Sequence, residues 1–396
     1  MTEAPLQLTY YQTRRLNMML DGKAVAVYSK PGIPDWEHIS PACELLAEHV
    51  KLGPGDNVLL FGGGNAALAV SLAEQLTGGK LWVTGTSLVA LDLTAQTLEL
   101  NRASHTHVNC EPSLLPKMAG VFNTTVMSLP KGRKLARRWL VEVYELLKPS
   151  GRLFLAGDNR EGIQPVIKDA TALFGKAVVL GYKKGNRVAC LEKNDPPLPK
   201  PEWAGEAGIY PGTWYEYLVE IRGSRLRVRS LPGIFSYDRL DEGTRLLLDH
   251  LTVSPGSRVL DFGCGSGMIG LFSALWGAAS VDLIDADLAA VAAARENISI
   301  NGIHIARAFP SDVLQAVEGN RYDLILSNPP FHTGKEVDYE ITRTFIAHAQ
   351  NLLEPGGQLI VVANKFIRYN RLMGELFKKV DCLVETGKYH VLSARK

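Results

Sequence analysis

Residues 259–267 read Val-Leu-Asp-Phe-Gly-Cys-Gly-Ser-Gly. Two apolar residues lead into a carboxylate, Asp261, and glycine then recurs at every second position, Gly263, Gly265 and Gly267. Met268 to Trp276, which follows, is apolar enough for a buried helix. Strand, glycine-rich turn and helix in this order open a nucleotide-binding βαβ unit. Such a turn needs backbone angles that glycine adopts without strain, and a ligand must approach where a Cβ would stand. Asp261, at the strand's end, is placed to accept a hydrogen bond from a cationic or hydroxyl-bearing ligand. Gly265, Gly267 and Gly270 also satisfy the dinucleotide pattern G-x-G-x-x-G, so a hydride-transferring enzyme has to be weighed.

Moving outward, Ser280 to Asp285 (Ser-Val-Asp-Leu-Ile-Asp) reads as a second strand. Its final acid stands about 20 residues past the glycines, where a ribose-binding carboxylate belongs. Either kind of cofactor would use it. Tyr322 to His332 (Tyr-Asp-Leu-Ile-Leu-Ser-Asn-Pro-Pro-Phe-His) separates the two. A strand that ends in Asn328-Pro329-Pro330-Phe331 has no part in hydride transfer. It resembles motif IV of the S-adenosylmethionine-dependent methyltransferases that modify exocyclic or amide nitrogens.

The chain has 396 residues, enough for two domains, and 46% hydrophobic residues support large cores. A net charge of +2 leaves any nucleic-acid contact to local patches. No run of 18 apolar residues and no signal-peptide pattern is present. Five scattered cysteines without a C-x-x-C pair fit reduced thiols and a cytoplasmic protein, with no metal expected. Cys264, inside the turn, reads as a packing residue.

The first half repeats the layout of the second, and alternating strand and helix patterns in both imply parallel sheets with helices on both faces. Its chemistry does not repeat. Leu60 stands for Asp261, Gly85-Thr86 for Asp285, and Leu129-Pro130-Lys131-Gly132 for Asn328 to Phe331. Gly62, Gly63 and Gly64 remain, enough for a turn. This is the pattern of an internal duplication whose first copy has lost cofactor binding. The expected domains are 1–195 and 207–396. Between them, 196–206 is read as a semi-rigid linker, because four prolines in six positions exclude helix. The second domain should open on a hairpin around Gly223-Ser224 and close on an antiparallel hairpin around Thr386-Gly387-Lys388.

With these residues in place, the whole chain resembles the bacterial ribosomal RNA guanine-N2 methyltransferases, and among them the small-subunit (16S) enzymes. Besides the two motifs above, the marks are Leu231-Pro232-Gly233-Ile234-Phe235-Ser236, Ala363-Asn364-Lys365-Phe366 and, in the first half, Leu155-Ala156-Gly157-Asp158 with Gly162. The resemblance implies two tandem Rossmann-like class I methyltransferase domains, the first degenerate. It implies S-adenosylmethionine as cofactor and ribosomal RNA or a ribosomal subunit as partner; a monomer with no membrane contact is expected. The cofactor's amino-acid part would lie near Asp261, Gly263, Gly265 and Gly267, its ribose on Asp285, and its adenine amine on Asp312. The Asn328 side-chain oxygen and the Pro329 carbonyl would take the hydrogens of guanine N2, with Pro330 stiffening the loop. Phe331 would stack on the base, worth about 1–3 kcal/mol. Phe235 and His332 are candidates for contact with the base or the RNA.

Other readings stay open. One is a large-subunit rRNA enzyme. Another is a protein glutamine N5-methyltransferase, a family that usually has tyrosine after the prolines and a small helical first domain. A third is an RNA-binding assembly factor with a vestigial site, against which the intact Asp261, Asp285 and Asn328 argue. Lys131, Arg133, Lys134, Arg137 and Arg138 fall within eight positions of the first half. For a polyanionic substrate this cluster reads as a docking group.

Overall fold

The computed structural model describes residues 10–62, 66–329 and 336–396, without the side chains of 336–339. They fall into two compact units. The first comprises Thr13–Tyr215 and Leu231–Gly233; the second comprises residues 10–12, Glu216–Ser230 and Ile234–Lys396.

The first unit begins with an antiparallel hairpin, β1 (Arg14–Leu20) and β2 (Lys23–Ser29). The sequence pattern betrays only its second strand, Ala24 to Tyr28. The turn explains the rest: Asp21 and Gly22 both take positive φ, the pairing that closes a tight two-residue hairpin. Helix α1 (Pro41–His49) follows, with Ser40 as its N-cap. Then come β3 (Asn57–Phe61), α2 (Ala66–Ala73), β4 (Lys80–Thr84), α3 (Leu88–Leu100), β5 (Thr106–Asn109), β6 (Phe122–Ser128), α4 (Arg133–Leu146), β7 (Leu147–Asp158), α5 (Ile163–Phe174), β8 (Ala177–Lys183) and β9 (Asn186–Glu192). The sheet order is β5-β4-β3-β6-β7-β9-β8. Pairs are parallel out to β7, and β9 runs antiparallel to both β7 and β8.

The second unit repeats this plan. Its hairpin is β10 (Tyr215–Ile221) and β11 (Ser224–Ser230), turning on Arg222 and Gly223, again both at positive φ. After α6 (Glu242–His250) come β12 (Arg258–Phe262), α7 (Met268–Leu275), β13 (Ser280–Asp285), α8 (Leu288–Ile300), β14 (Ala306–Pro310), β15 (Tyr322–Ser327), α9 (Glu336–Leu352), β16 (Leu353–Asn364), α10 (Tyr369–Leu376), β17 (Val380–Glu385) and β18 (Tyr389–Arg395). The order β14-β13-β12-β15-β16-β18-β17 matches the first sheet position for position. The closing antiparallel pair, expected for the second domain, thus ends both. Strand residues alternate between two cores: Val259, Val281 and Leu324 face one, Leu260, Ile284 and Ile325 the other.

Two expectations are corrected. Segment 196–206, expected as a semi-rigid linker between the domains, belongs to the first unit. Residues 202–205 form a 3₁₀ turn whose Ala204, with Ile209, is buried in the core of the first unit, so that unit runs to Tyr215. The prolines keep their extended course up to Pro201 (φ −64, ψ 150), and burial of the apolar side chains that follow them holds the turn to the first unit. Strand register also shifts one equivalence. Leu60 pairs with Val126 as Asp261 pairs with Leu326, so the counterpart of Asn328 is Ser128 rather than Leu129.

Candidate active site

The site is built on the carboxyl ends of β12, β13, β14 and β15, the ligand face of an open α/β sheet. Past Phe262 the chain turns, and the N–H groups of Gly263 and Cys264 both donate to the Ile284 carbonyl (2.9 and 3.0 Å). Gly265 has φ +54 and its N–H donates to Asp285 Oδ2 (2.9 Å). A side chain there would be held in the strained left-handed region. A Cβ added to Gly263 would meet nothing within 4 Å, so the turn has open space beside it. Gly270 serves another end: a Cβ there would lie 2.8 Å from Leu283 Cδ2, so α7 packs directly on β13. Burial pushes the Cys264 thiol up, in keeping with packing.

Asp261 is 1% exposed. Its Oδ2 accepts the Gly270 N–H (2.8 Å), while Oδ1 is buried with no hydrogen-bond partner. Burial foremost, with the charge of Asp285 adding, raises its pKa to about 7. An orphaned carboxylate oxygen at a strand end is costly and suits a cationic ligand group. Asp285 takes N–H groups from Gly265 and, on Oδ1, from Asp287 (2.9 Å); burial raises its pKa too. Asp287 caps α8 through Ala289 and Ala290.

Asp312 is reached by residues far upstream in the sequence. The buried Tyr10 hydroxyl donates to its Oδ1 (2.7 Å), and Leu314 N–H donates to the Tyr11 hydroxyl (3.4 Å). Burial, with Asp312 beside it, raises the Tyr10 pKa; that of Tyr11 is pushed up to about 12, mainly by burial. Within the loop, the Ser311 hydroxyl donates to the Val313 carbonyl (2.9 Å), and Val313 holds φ +50, unusual for a branched side chain. The tyrosines brace this strained loop from outside it.

Asn328 follows β15, the strand paired with β12. Its Nδ2 donates to Asp241 Oδ2 (3.0 Å) and to Thr244 Oγ1 (2.9 Å), both at the start of α6. Pro329 is buried; Pro330, Phe331 and His332 lie outside the described residues. Phe235 is 63% exposed, which excludes a core role, and Ile234 beside it stands 4.0 Å from a Cβ built on Gly265. Phe366, just past β16, is 65% exposed.

Tyr10, Asp241 and Thr244 were not singled out from the sequence. Asp241-x-x-Thr244 is a legible helix-start pattern, but its use by Asn328 is a long-range contact. Nothing local marks Tyr10 as a partner of a residue 302 positions away.

In the first unit, Leu60, Gly85 and Ser128 occupy the positions of Asp261, Asp285 and Asn328. Gly62 corresponds to Gly263, but a Cβ there would lie 3.1 Å from the indole of Trp139 on α4. That ring, also set edge-on to Phe61, fills the room that the second unit keeps open. The basic cluster of α4 is largely engaged within the unit. Arg133 and Arg137 both grip Asp169 (2.7 and 3.0 Å), Lys134 pairs with Glu206, and the mostly buried Arg138 donates to the Gly208 carbonyl (2.9 Å). Lys131 is exposed. Arg137 and Arg138, expected at an RNA surface, each hold elements of their own unit together, through Asp169 and the Gly208 carbonyl.

Among known proteins, the Methyltransferase small domain family matches residues 24–189 and again 225–393. A Ribosomal RNA small subunit methyltransferase C from Pseudomonas putida is 33% identical over 360 residues, spanning 90% of this chain and 100% of its own length. The chain belongs to the ribosomal RNA small subunit methyltransferase C family. Its methyltransferase C relative from Pseudoalteromonas atlantica is 33% identical over 277 residues, 69% of this chain and 78% of that one. The Thermus thermophilus 16S rRNA N2 methyltransferase, solved with AdoMet and guanosine, superposes with a TM-score of 0.79 at 29% identity, over 98% of this chain and 99% of its own. The double match of the small domain agrees with the repeated sheet order. In this methyltransferase C member only the second copy carries the acids.

Proposed function

We propose that this chain transfers a methyl group from S-adenosylmethionine to the exocyclic N2 amine of a guanosine in small-subunit ribosomal RNA. The observation that carries this reading is the placement of Asn328 at the end of β15, next to the strand that ends in Asp261 and the glycine turn. The residues fit the cofactor. Asp261 offers its orphaned oxygen to the amino-acid part, Asp285 stands at the position for ribose hydroxyls, and Asp312 for the adenine amine. When bound, S-adenosylmethionine supplies an electrophilic methyl on a sulfonium centre.

Guanine N2 is a poor nucleophile because its lone pair is delocalised into the ring. Asn328 Oδ1 and the Pro329 carbonyl accept the two amine hydrogens and favour a pyramidal nitrogen with its lone pair directed outward. The methylated nitrogen is strongly acidic before it loses its proton, so water suffices as base. Rate then comes from proximity and orientation. The base must leave its stack to enter, and the exposed ring of Phe235 offers a surface for it near the turn.

The first unit acts as a positioning module that meets RNA phosphates through Lys131, Arg133 and Lys134, the exposed members of the α4 cluster. Small ribosomal subunits from cells lacking this protein, incubated with it and methyl-labelled cofactor, should yield labelled N2-methylguanosine on nucleoside analysis. Label confined to large-subunit RNA or to protein would defeat the reading.

A further inference from the structure

We propose that Asp241 and Thr244 are positioning residues that fix which way the Asn328 amide faces; this rests on the guanosine N2 reading above. A primary amide has two chemically opposite ends of nearly equal shape. Only its oxygen can accept a hydrogen from an amine; its NH₂ end would repel one. Rotation about the bond to the amide group is soft and roughly two-fold, so the peptide backbone alone does not choose between them. Here the choice is made by contact. Both hydrogens of Nδ2 are engaged, one with Asp241 Oδ2 at 3.0 Å and one with Thr244 Oγ1 at 2.9 Å. The same Asp241 oxygen accepts the Thr244 N–H at 2.9 Å, which anchors it to the first turn of α6. Turning the amide over would set Oδ1 against the Asp241 oxygen. The planar group therefore holds Oδ1 away from α6, as the acceptor end for the target amine.

The first unit separates this role from helix capping. Ser40 occupies the position of Asp241 and caps α1 through the Cys43 N–H (3.3 Å), Cys43 stands for Thr244, and Ser128 for Asn328. A serine thus starts the equivalent helix where there is no amide to orient. Asp241 keeps a longer, bifunctional side chain only where Asn328 is present.

The test uses the full chain, with single-turnover rate, RNA KM, cofactor Kd and melting temperature measured on each variant. Asp241→Ser keeps a capping hydroxyl but is too short for Asn328. It should lower kcat about 10- to 100-fold, with cofactor Kd and melting temperature close to wild type. Asp241→Asn, whose oxygen can accept both bonds, should restore most of the rate. Thr244→Val leaves the backbone cap intact and should lower kcat in the same sense, and it carries the test if Asp241→Ser melts early. In an Asn328→Ala background Asp241→Ser should have no further effect on rate. Wild-type kcat in Asp241→Ser and Thr244→Val, or an equal loss in the Asn328→Ala background, overturns the positioning role. Wild-type protein that leaves guanosine N2 unmodified overturns the functional reading itself, and this inference with it.

Discussion

Two seven-stranded sheets of identical order, built from one chain, differ in what stands at the ends of their strands. One ends in Leu60, Gly85 and Ser128; the other in Asp261, Asp285 and Asn328. In the first, the Trp139 indole stands against Gly62, and in the second the same place beside Gly263 is open. A scaffold of this kind is held by strand register and buried apolar faces, which both copies retain. The candidate site instead depends on three polar side chains and the open space beside Gly263, none of which the apolar packing of the sheet requires. Folding therefore does not preserve the site, and one copy has replaced it with packing.

Four experiments test this contrast. Asn328→Ala should reduce turnover about 10²- to 10³-fold, the usual cost of one orienting contact, with cofactor affinity retained. Ser128→Ala should leave the rate unchanged. Equal losses in radiolabel transfer assays would abolish the asymmetry between the units.

Asp285→Ala should weaken cofactor binding about 10- to 100-fold, as for loss of hydrogen bonds to a charged group. Gly85→Asp should not create a second site, because Trp139 fills the cradle. Calorimetry should count one cofactor per chain in wild type and in Gly85→Asp.

A third experiment uses pH. The pKa of Asp261 stands at about 7 in the folded protein, far above about 3.9 for an unfolded aspartate. The folded state thus holds this proton more tightly, and the contribution is most favourable at low pH and lost as pH rises through 7. A cationic ligand group requires the ionised form, so cofactor affinity should rise up to tenfold per pH unit below 7 and level off above it. Asp261→Asn should flatten that profile and raise the melting temperature of the ligand-free protein more at pH 8 than at pH 5. A flat wild-type profile would separate Asp261 from cofactor binding.

The smallest effect concerns RNA. Neutralising Lys131, Arg133 and Lys134 should lower the slope of log affinity against log salt by about 0.7–0.9 per lost contact. Arg137→Ala and Arg138→Ala should cost melting temperature instead, since both guanidiniums are held inside the unit. An unchanged slope in the triple variant would leave α4 a purely structural helix.

The sheets and most of the catalytic copy were legible because each part had a local signature. Asp261 with its glycines, Asp285 at a strand end and Asn328 before prolines are short patterns with a fixed structural meaning. What escaped depended on contacts between distant residues. The β1 strand carries charged and polar residues on its exposed face and lacks clean alternation. Trp203 and Ala204 tie the residues just after the prolines to the first core, while 196–200 stay exposed; nothing in the local composition marks that change. The acceptors that Arg137 and Arg138 find inside their unit, Asp169 and the Gly208 carbonyl, were likewise beyond the reach of the local sequence.

The bond between Tyr10 and Asp312 spans 302 positions of sequence, and it ties the maturation of the enzyme to the time of its synthesis. At about 5–20 residues per second a ribosome needs roughly 15–60 s to pass from one to the other. Throughout that interval Tyr10 and Tyr11 are waiting aromatic groups without their pocket. The loop at Val313 acquires its outer braces only when residues 10–11 and 312–314 of the nascent chain meet. A substitution at Tyr10 therefore reaches a loop encoded three hundred codons downstream.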